Sequence, residues 1–168
     1  AAVSRLSLSV VPIPKNDARG VWTGNLFQPE VAISALPEVD ATLAARLEQA
    51  GLYSIGEFVQ VATRARAQAQ LEALLGVERE RLARWAQQAA LMTLRGVNGA
   101  AATVLIQAGL GSFDALAPCS SAVVLQRYEA ARQTLSSLNA PPGDDALAAQ
   151  WIRAARQFLG WPEASPGS

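Results

Sequence analysis

The chain has 168 residues, 51% of them hydrophobic, and its 14 basic and 14 acidic side chains cancel at neutral pH. This length suits one ordinary domain or two small ones, and the zero net charge excludes a global positive field that would attract nucleic acid or an anionic membrane. The sequence has no histidine and one cysteine, which excludes a disulfide within the chain and a zinc or iron–sulfur site built from Cys and His.

The first 28 residues predict an extended N-terminal arm. Leu6, Leu8 and Val10 alternate with serines, which is the period-2 pattern of a half-buried strand. Residues 1–28 are therefore expected to hold one or two short strands. Such an arm either packs on the helices of its own chain, which we favour, or completes the sheet of a partner by edge addition. In the second case Leu6, Leu8 and Val10 form the partner-docking strand.

From Pro29 onward the spacing of apolar residues predicts helices. We divide this region into a first helical unit at residues 29–93, a second helical unit at residues 94–160 and a flexible tail at residues 161–168. The longer helices are predicted over residues 57–73 and 78–93 in the first unit and over residues 120–138 and 144–159 in the second.

An internal repeat relates the two units. The segment 36–58 returns 58 positions later as residues 94–116, and nine of the 23 aligned residues are identical. A repeat of this period means that one supersecondary unit is used twice. Gly51 and Gly109 are predicted to end a helix in the left-handed conformation. Ser54 and Glu57 have the spacing of a capping box at the start of the next helix.

Other conspicuous residues indicate structure rather than chemistry. Trp85 and Trp151 occupy matching places on apolar helical stripes, which is typical of core anchors. The arginines between residues 79 and 84 alternate with glutamates, as on a solvated helix face. Cys119 precedes a predicted helix and is interpreted as a small residue at a helix start.

The second copy of the repeat resembles a known motif. The sequence Leu94-Arg-Gly-Val-Asn-Gly, followed by a short helix and by Ala108-Gly-Leu-Gly-Ser-Phe, resembles the helix-hairpin-helix motif. With the preceding helix it looks like an uncharacterised bacterial family of tandem helix-hairpin-helix domains. The resemblance covers roughly residues 36–160, with the motif at 36–58 and 94–116. It implies a mainly α fold of two tandem helical repeats, preceded here by a short β-strand or extended N-terminal arm.

The resemblance also implies a candidate site. In DNA-binding members of the motif, amides of the hairpin and of the following helix contact a backbone phosphate. In the first copy Glu38 and Asp40 replace the hairpin glycines, and their carboxylates would repel phosphate. The second copy keeps a weak candidate for this contact, with Asn98 in place of the usual second glycine. Its residues are Arg95, Gly96, Val97, Asn98 and Gly99.

The sequence favours protein binding over the other classes of function. The helix after Gly99 has no basic residue, although Lys and Arg supply the affinity for phosphate. DNA glycosylases and lyases that carry the motif need a catalytic lysine, and Lys15, in the arm, is the only lysine. We therefore expect no enzyme activity, no metal and no cofactor.

We expect a non-enzymatic structural or adaptor module that mediates protein–protein interaction within a larger assembly. Weak, sequence-nonspecific DNA binding through the second hairpin is the alternative. Other protein subunits are the expected partners, whereas nucleic acid is not, and the oligomeric state stays open. Because no apolar run reaches the roughly 18 to 20 residues of a membrane helix, we expect a soluble chain and favour the cytoplasm as its compartment.

Overall fold

The computed structural model describes residues 26–62 and 64–161. Within these ranges the chain is helical and contains no strand, so the predicted mainly α class is confirmed for this part of the chain. None of these helices combines the length and the apolar character needed to cross a membrane. The described residues form eight α-helices: α1 (Ala41–Gln49), α2 (Ile55–Ala62), α3 (Ala65–Leu75), α4 (Arg79–Met92), α5 (Gly99–Gln107), α6 (Phe113–Leu116), α7 (Ser121–Thr134) and α8 (Asp145–Leu159).

The strands predicted for the N-terminal arm lie outside the described residues. The last part of the arm is described, and it is bound to the helices. Phe27 is 2% exposed and forms an isolated antiparallel bridge with Leu94. The main-chain N–H of Gln28 donates to the carbonyl oxygen of Thr93 at 2.6 Å. Residues 26–28 therefore belong to the helical fold.

Polar side chains begin several helices, and the sequence predicts the cap at Ser54. Ser54 Oγ accepts from the N–H of Glu57 at 3.2 Å, and Glu57 Oε1 accepts from the N–H of Ser54 at 3.0 Å, which confirms the capping box. Asp40 and Asn98 cap α1 and α5, and each accepts an N–H three residues later at 2.8 Å. A cap of this kind contributes about 1 kcal/mol because it satisfies an otherwise unbonded amide.

The helices α1 and α5 end in the same way. Gly51 has φ 94° and Gly109 has φ 79°, which confirms the left-handed helix ends predicted at both positions. The N–H of the leucine after each glycine then donates back to a helix carbonyl, at 2.9 Å in the first case and 2.8 Å in the second. These turns set the angle at which α2 and α6 leave.

Two helix boundaries differ from the prediction. The predicted helix 57–73 is two helices, because α2 ends at Ala62 and α3 begins at Ala65. Gln68 Nε2 donates to the carbonyl oxygen of Ala62 at 2.8 Å, so a side chain satisfies a carbonyl that the break leaves without a helical partner. The predicted helix 120–138 is also shorter: α7 covers Ser121–Thr134 and a turn of 3₁₀ helix follows at Ser136–Leu138.

The two halves of the fold use the same order of helix packing. In the first unit α1 packs on α3, α2 on α4 and α3 on α4, and in the second unit α5 packs on α7, α6 on α8 and α7 on α8. Contact between α4 and α5 joins the units. Trp85 on α4 and Trp151 on α8 are 0% and 4% exposed, so both are core anchors, as predicted. The helix α8 is thus the counterpart of α4.

Candidate functional site

The second hairpin lies at the junction of the two units, and its Arg95 is bonded to other parts of the chain. The N–H of Arg95 donates to the carbonyl oxygen of Leu26 at 3.0 Å. The Arg95 guanidinium donates to the carbonyl oxygen of Phe27 at 3.1 Å. The main-chain carbonyl oxygen of Arg95 accepts from Trp151 Nε1 at 3.2 Å. The arginine predicted to face a phosphate therefore holds the N-terminal segment against α8.

Of the remaining candidate residues of this hairpin, Val97 is buried, Gly99 is half-buried, and Gly96 and Asn98 are exposed. Val97 is 1% exposed, and the Asn98 side chain is engaged as the α5 cap. A Cβ on Gly96 would lie 3.2 Å from the side chain of Leu147, and a Cβ on Gly99 would lie 2.6 Å from Pro37 Cγ. The structure thus brings all five candidate residues together, and it places a proline of the first unit against the start of α5. Their contact with phosphate stays a prediction.

The first hairpin is tied to α4 by an ion pair. Arg84 Nε and one terminal nitrogen donate to the two carboxylate oxygens of Glu38 at 2.9 and 3.0 Å. A bidentate pair of this type fixes two side chains in one geometry. Arg79 pairs with Glu72 at 3.1 Å, and the Arg81 guanidinium lies 5.5 Å from the Trp85 ring centroid. The basic cluster on α4 is therefore occupied by groups of the same chain.

The perturbed titratable groups form a structural corner between α7 and α8. Tyr128 Oη donates to the carbonyl oxygen of Pro141 at 2.7 Å, and burial raises the pKa of this phenol. Glu129 accepts from Arg132 and from the N–H of Gly143. The hydrogen bond from Arg132 is the main cause of the lowered pKa of the Glu129 carboxyl. These groups hold the loop before α8 in place.

The described residues contain no group of three His, Cys, Asp or Glu side chains close enough to hold a metal ion. Cys119 Sγ donates to the carbonyl oxygen of Ala115 at 3.2 Å. The thiol therefore bonds back to the preceding turn, which agrees with its interpretation as a small residue near the start of α7.

A groove of about 710 Å³ lies along α8. Residues 119–121 form one wall, and the other is formed by side chains of α8 that include Ile152, Arg153 and Arg156. Trp161 also lines it. We call this surface the α8 groove. Its volume is in the range of pockets that hold ligands.

The α8 groove has a positive lining. None of the described residues that line it is acidic, whereas Arg153 and Arg156 both face it. Arg156 Nε donates to the carbonyl oxygen of Ala117 at 2.7 Å, and its guanidinium lies 5.5 Å from the Trp161 ring centroid. Arg156 is therefore fixed at the rim, whereas Arg153 is exposed to solvent.

The α8 groove is the counterpart of the face of α4 that lies at the junction. Arg153 follows Trp151 by two residues, just as Gln87 follows Trp85. Gln87 Nε2 donates to the carbonyl oxygen of Gly111, in the loop after α5, at 2.9 Å. On α4 this position therefore binds the next unit, whereas on α8 the matching position lines a groove that no described residue covers.

The sequence did not reveal this groove. Its walls come from segments some 30 residues apart, and each segment alone is typical of an ordinary helix. A usable signal was the alignment of the two tryptophan helices, because it shows arginine at a position where the first unit has glutamine. The strand proposed to dock a partner, Leu6, Leu8 and Val10, lies outside the described residues.

Comparison with known proteins places the chain in a family without assigning it an activity. No curated protein and no solved structure matches it. A family described as a domain of unknown function, DUF4332, matches residues 37–158. This range contains all eight helices except the last residue of α8. Since the match spans well over half of the sequence, the chain belongs to the DUF4332 family.

Proposed function

We propose that this chain is a non-enzymatic adaptor module that binds a helical segment of another protein in the α8 groove, as part of a larger assembly. A single observation carries the proposal. The face by which α4 contacts the second unit is repeated on α8, where no described residue covers it. Within the chain, the matching face of α4 already binds α5 and the loop that follows α5.

The covered and the open copies of this face differ in the expected way. Leu91 on α4 is 0% exposed, whereas Gln157, its counterpart six residues after the tryptophan of α8, is only half-buried and lines the groove. Terminal units of stacked repeats have more polar outer faces, because no further unit covers them. The α8 groove combines that polar rim with the buried side chain of Ile152, which is 6% exposed.

We further propose that each unit is built on a helix-hairpin-helix motif used for packing. The two hairpins share one turn: the N–H of Val39 donates to the carbonyl oxygen of Leu36 at 3.2 Å, and that of Val97 to Leu94 at 3.1 Å. Both valines are buried. The hydrogen bonds of Arg95 to the N-terminal segment favour this packing role over a contact with DNA.

Site-specific photo-crosslinking in the native host tests the proposal. A photoreactive amino acid replaces Ala149, an exposed residue that lines the groove. The matched control carries it at Gln133, which is exposed on α7 outside the groove. We expect a single adduct, and only from position 149. The same adduct should form again with the purified partner, and mass spectrometry should map it to a helical segment of that partner. No adduct, or equal adducts from both positions, would overturn the proposal.

The N-terminal arm is proposed as a second contact with the same assembly. Because Phe27 and Gln28 are bound into the helical fold, the informative deletion removes residues 1–25 and leaves both in place. Sedimentation of the shortened and complete chains with the crosslinked partner tests this role. We expect weaker association of the shortened chain, and unchanged association would show that the arm does not dock.

A further inference from the structure

We infer that the segment bound in the α8 groove is acidic and that its carboxylates pair with Arg153 and Arg156. This inference rests on the proposed function and adds the chemistry of the partner. The first observation is that α4 and α8 carry different side chains at matching positions. Where α4 has Gln87 and Ala90, α8 has two arginines, so two guanidinium groups replace an amide and a methyl group.

Arg156 is preorganised for a carboxylate. Its Nε is bound to the carbonyl oxygen of Ala117 at 2.7 Å, and Trp161 lies against its guanidinium. The terminal nitrogens make no hydrogen bond to another described residue. A guanidinium held in this way presents a planar pair of donors, which match the two oxygens of a carboxylate.

Arg153 adds a second positive charge one helical turn away. It is exposed, and no described residue forms an ion pair with it. The other wall includes Ser120, which caps the start of α7, so the positive end of that helix dipole adds to the field. Since none of the described residues that line the groove is acidic, a neutral or basic segment would bring no carboxylate to pair with these charges.

The shape of the groove favours a peptide segment over a lone anion. The groove has a volume of about 710 Å³. A small anion bound between two guanidinium groups would need only a fraction of that space. Ile152 adds apolar surface to the lining, and Trp161, 42% exposed, adds aromatic surface. An amphipathic helix with carboxylates three or four residues apart matches two arginines with the same spacing.

Two synthetic helical peptides test the inference with the complete chain. They have one alanine-rich sequence, with glutamates at a spacing of four residues in the first and glutamines at the same positions in the second. Fluorescence anisotropy measures their affinities. We expect the glutamate peptide to bind at least about tenfold more tightly. We also expect Arg153→Glu to abolish that preference and Arg127→Glu, an exposed charge reversal on α7 outside the groove, to preserve it.

Three results would overturn the inference. Equal affinity of the two peptides shows that the segment is not acidic. In that case an adduct at position 149 in the crosslinking experiment would still support the proposed function. Stronger binding of inorganic phosphate than of the glutamate peptide assigns the groove to small anions. If the chain sediments as a dimer and Arg153→Glu converts it to a monomer, the α8 groove binds a second copy of this chain. If the crosslink also fails, the proposed function fails with it.

Discussion

Gln87 Nε2 lies 2.9 Å from the carbonyl oxygen of Gly111, and this hydrogen bond joins the first unit to the second. A Cβ on residue 111 would lie 2.4 Å from the same nitrogen. The contact therefore requires glycine in the second unit and a flexible polar side chain in the first. Arg153 stands at the position of Gln87 in the second unit, which is why the α8 groove is interpreted as an open copy of this interface.

Replacing Gly111 by alanine is expected to break this hydrogen bond, because the Gln87 amide must move away from the new methyl group. The expected loss is about 1 kcal/mol in the free energy of unfolding, measured by urea denaturation. The double mutant with Gln87→Ala provides the control. If the two losses add fully, the residues do not interact and the interpretation of this contact is wrong.

Gly56→Ala is expected to destabilise the fold more than Gly111→Ala. A Cβ on Gly56 would lie 2.7 Å from Pro29 Cβ and 2.9 Å from the Pro29 carbonyl oxygen, and main-chain atoms move less readily than the end of a glutamine. We expect a loss of about 1–3 kcal/mol, although alanine normally favours a helix over glycine. A urea midpoint equal to that of the unmodified chain would contradict this close approach.

The two core tryptophans are expected to respond differently to phenylalanine. Trp151 Nε1 donates to the carbonyl oxygen of Arg95, whereas no described residue accepts a hydrogen bond from the buried Trp85 Nε1. Both substitutions remove the same volume, but only Trp151→Phe leaves a carbonyl without its partner. We expect Trp151→Phe to cost about 1 kcal/mol more than Trp85→Phe in thermal or urea unfolding. The reverse order would contradict the assigned hydrogen bond.

Glu129 is expected to make stability depend on pH. The hydrogen bond from Arg132 lowers the pKa of its carboxyl in the folded chain. Its stabilisation is therefore complete above the ordinary pKa of a glutamate and is lost as the pH falls through the lowered value. Glu129→Gln should reduce the melting temperature at pH 7, and the difference should shrink towards about pH 3. A difference in melting temperature that stays the same from pH 7 to about pH 3 would contradict this assignment.

Titration with labelled duplex and single-stranded DNA tests the alternative function. We expect no micromolar binding at about 50 or 200 mM salt, because the Arg95 guanidinium is bonded to Phe27 and α5 has no basic side chain. Micromolar affinity with a steep salt dependence that Arg95→Glu removes would instead support the phosphate contact of the second hairpin.

Local signals in the sequence predicted the helix starts and the core well. The capping box at Ser54 and the burial of both core tryptophans each depend on a few neighbouring residues or on one helical stripe. The break between α2 and α3 was missed because residues 63 and 64 are neither proline nor glycine. It depends on tertiary packing and on Gln68, whose side chain bonds to Ala62 from six residues away.

The α8 groove could not be predicted from any single motif. Arg153 and Arg156 look like ordinary solvent-exposed helix residues until α7 and α8 are placed side by side. The candidate site that the sequence did suggest, around Arg95, consists of residues that the fold brings together. Long-range bonds to Phe27 and Trp151 give that hairpin a structural use, and neither bond is visible in a local pattern.

Blocking the α8 groove and measuring the affinity of the crosslinked partner shows whether that partner binds there. Ala149→Trp places a large side chain in the groove, and Ala83→Trp makes the same change at the matching, exposed position of α4. Titration calorimetry with the purified partner compares both variants with the unmodified chain. The proposed function predicts at least about tenfold weaker binding for Ala149→Trp and unchanged binding for Ala83→Trp. Equal affinity of Ala149→Trp and the unmodified chain would contradict it.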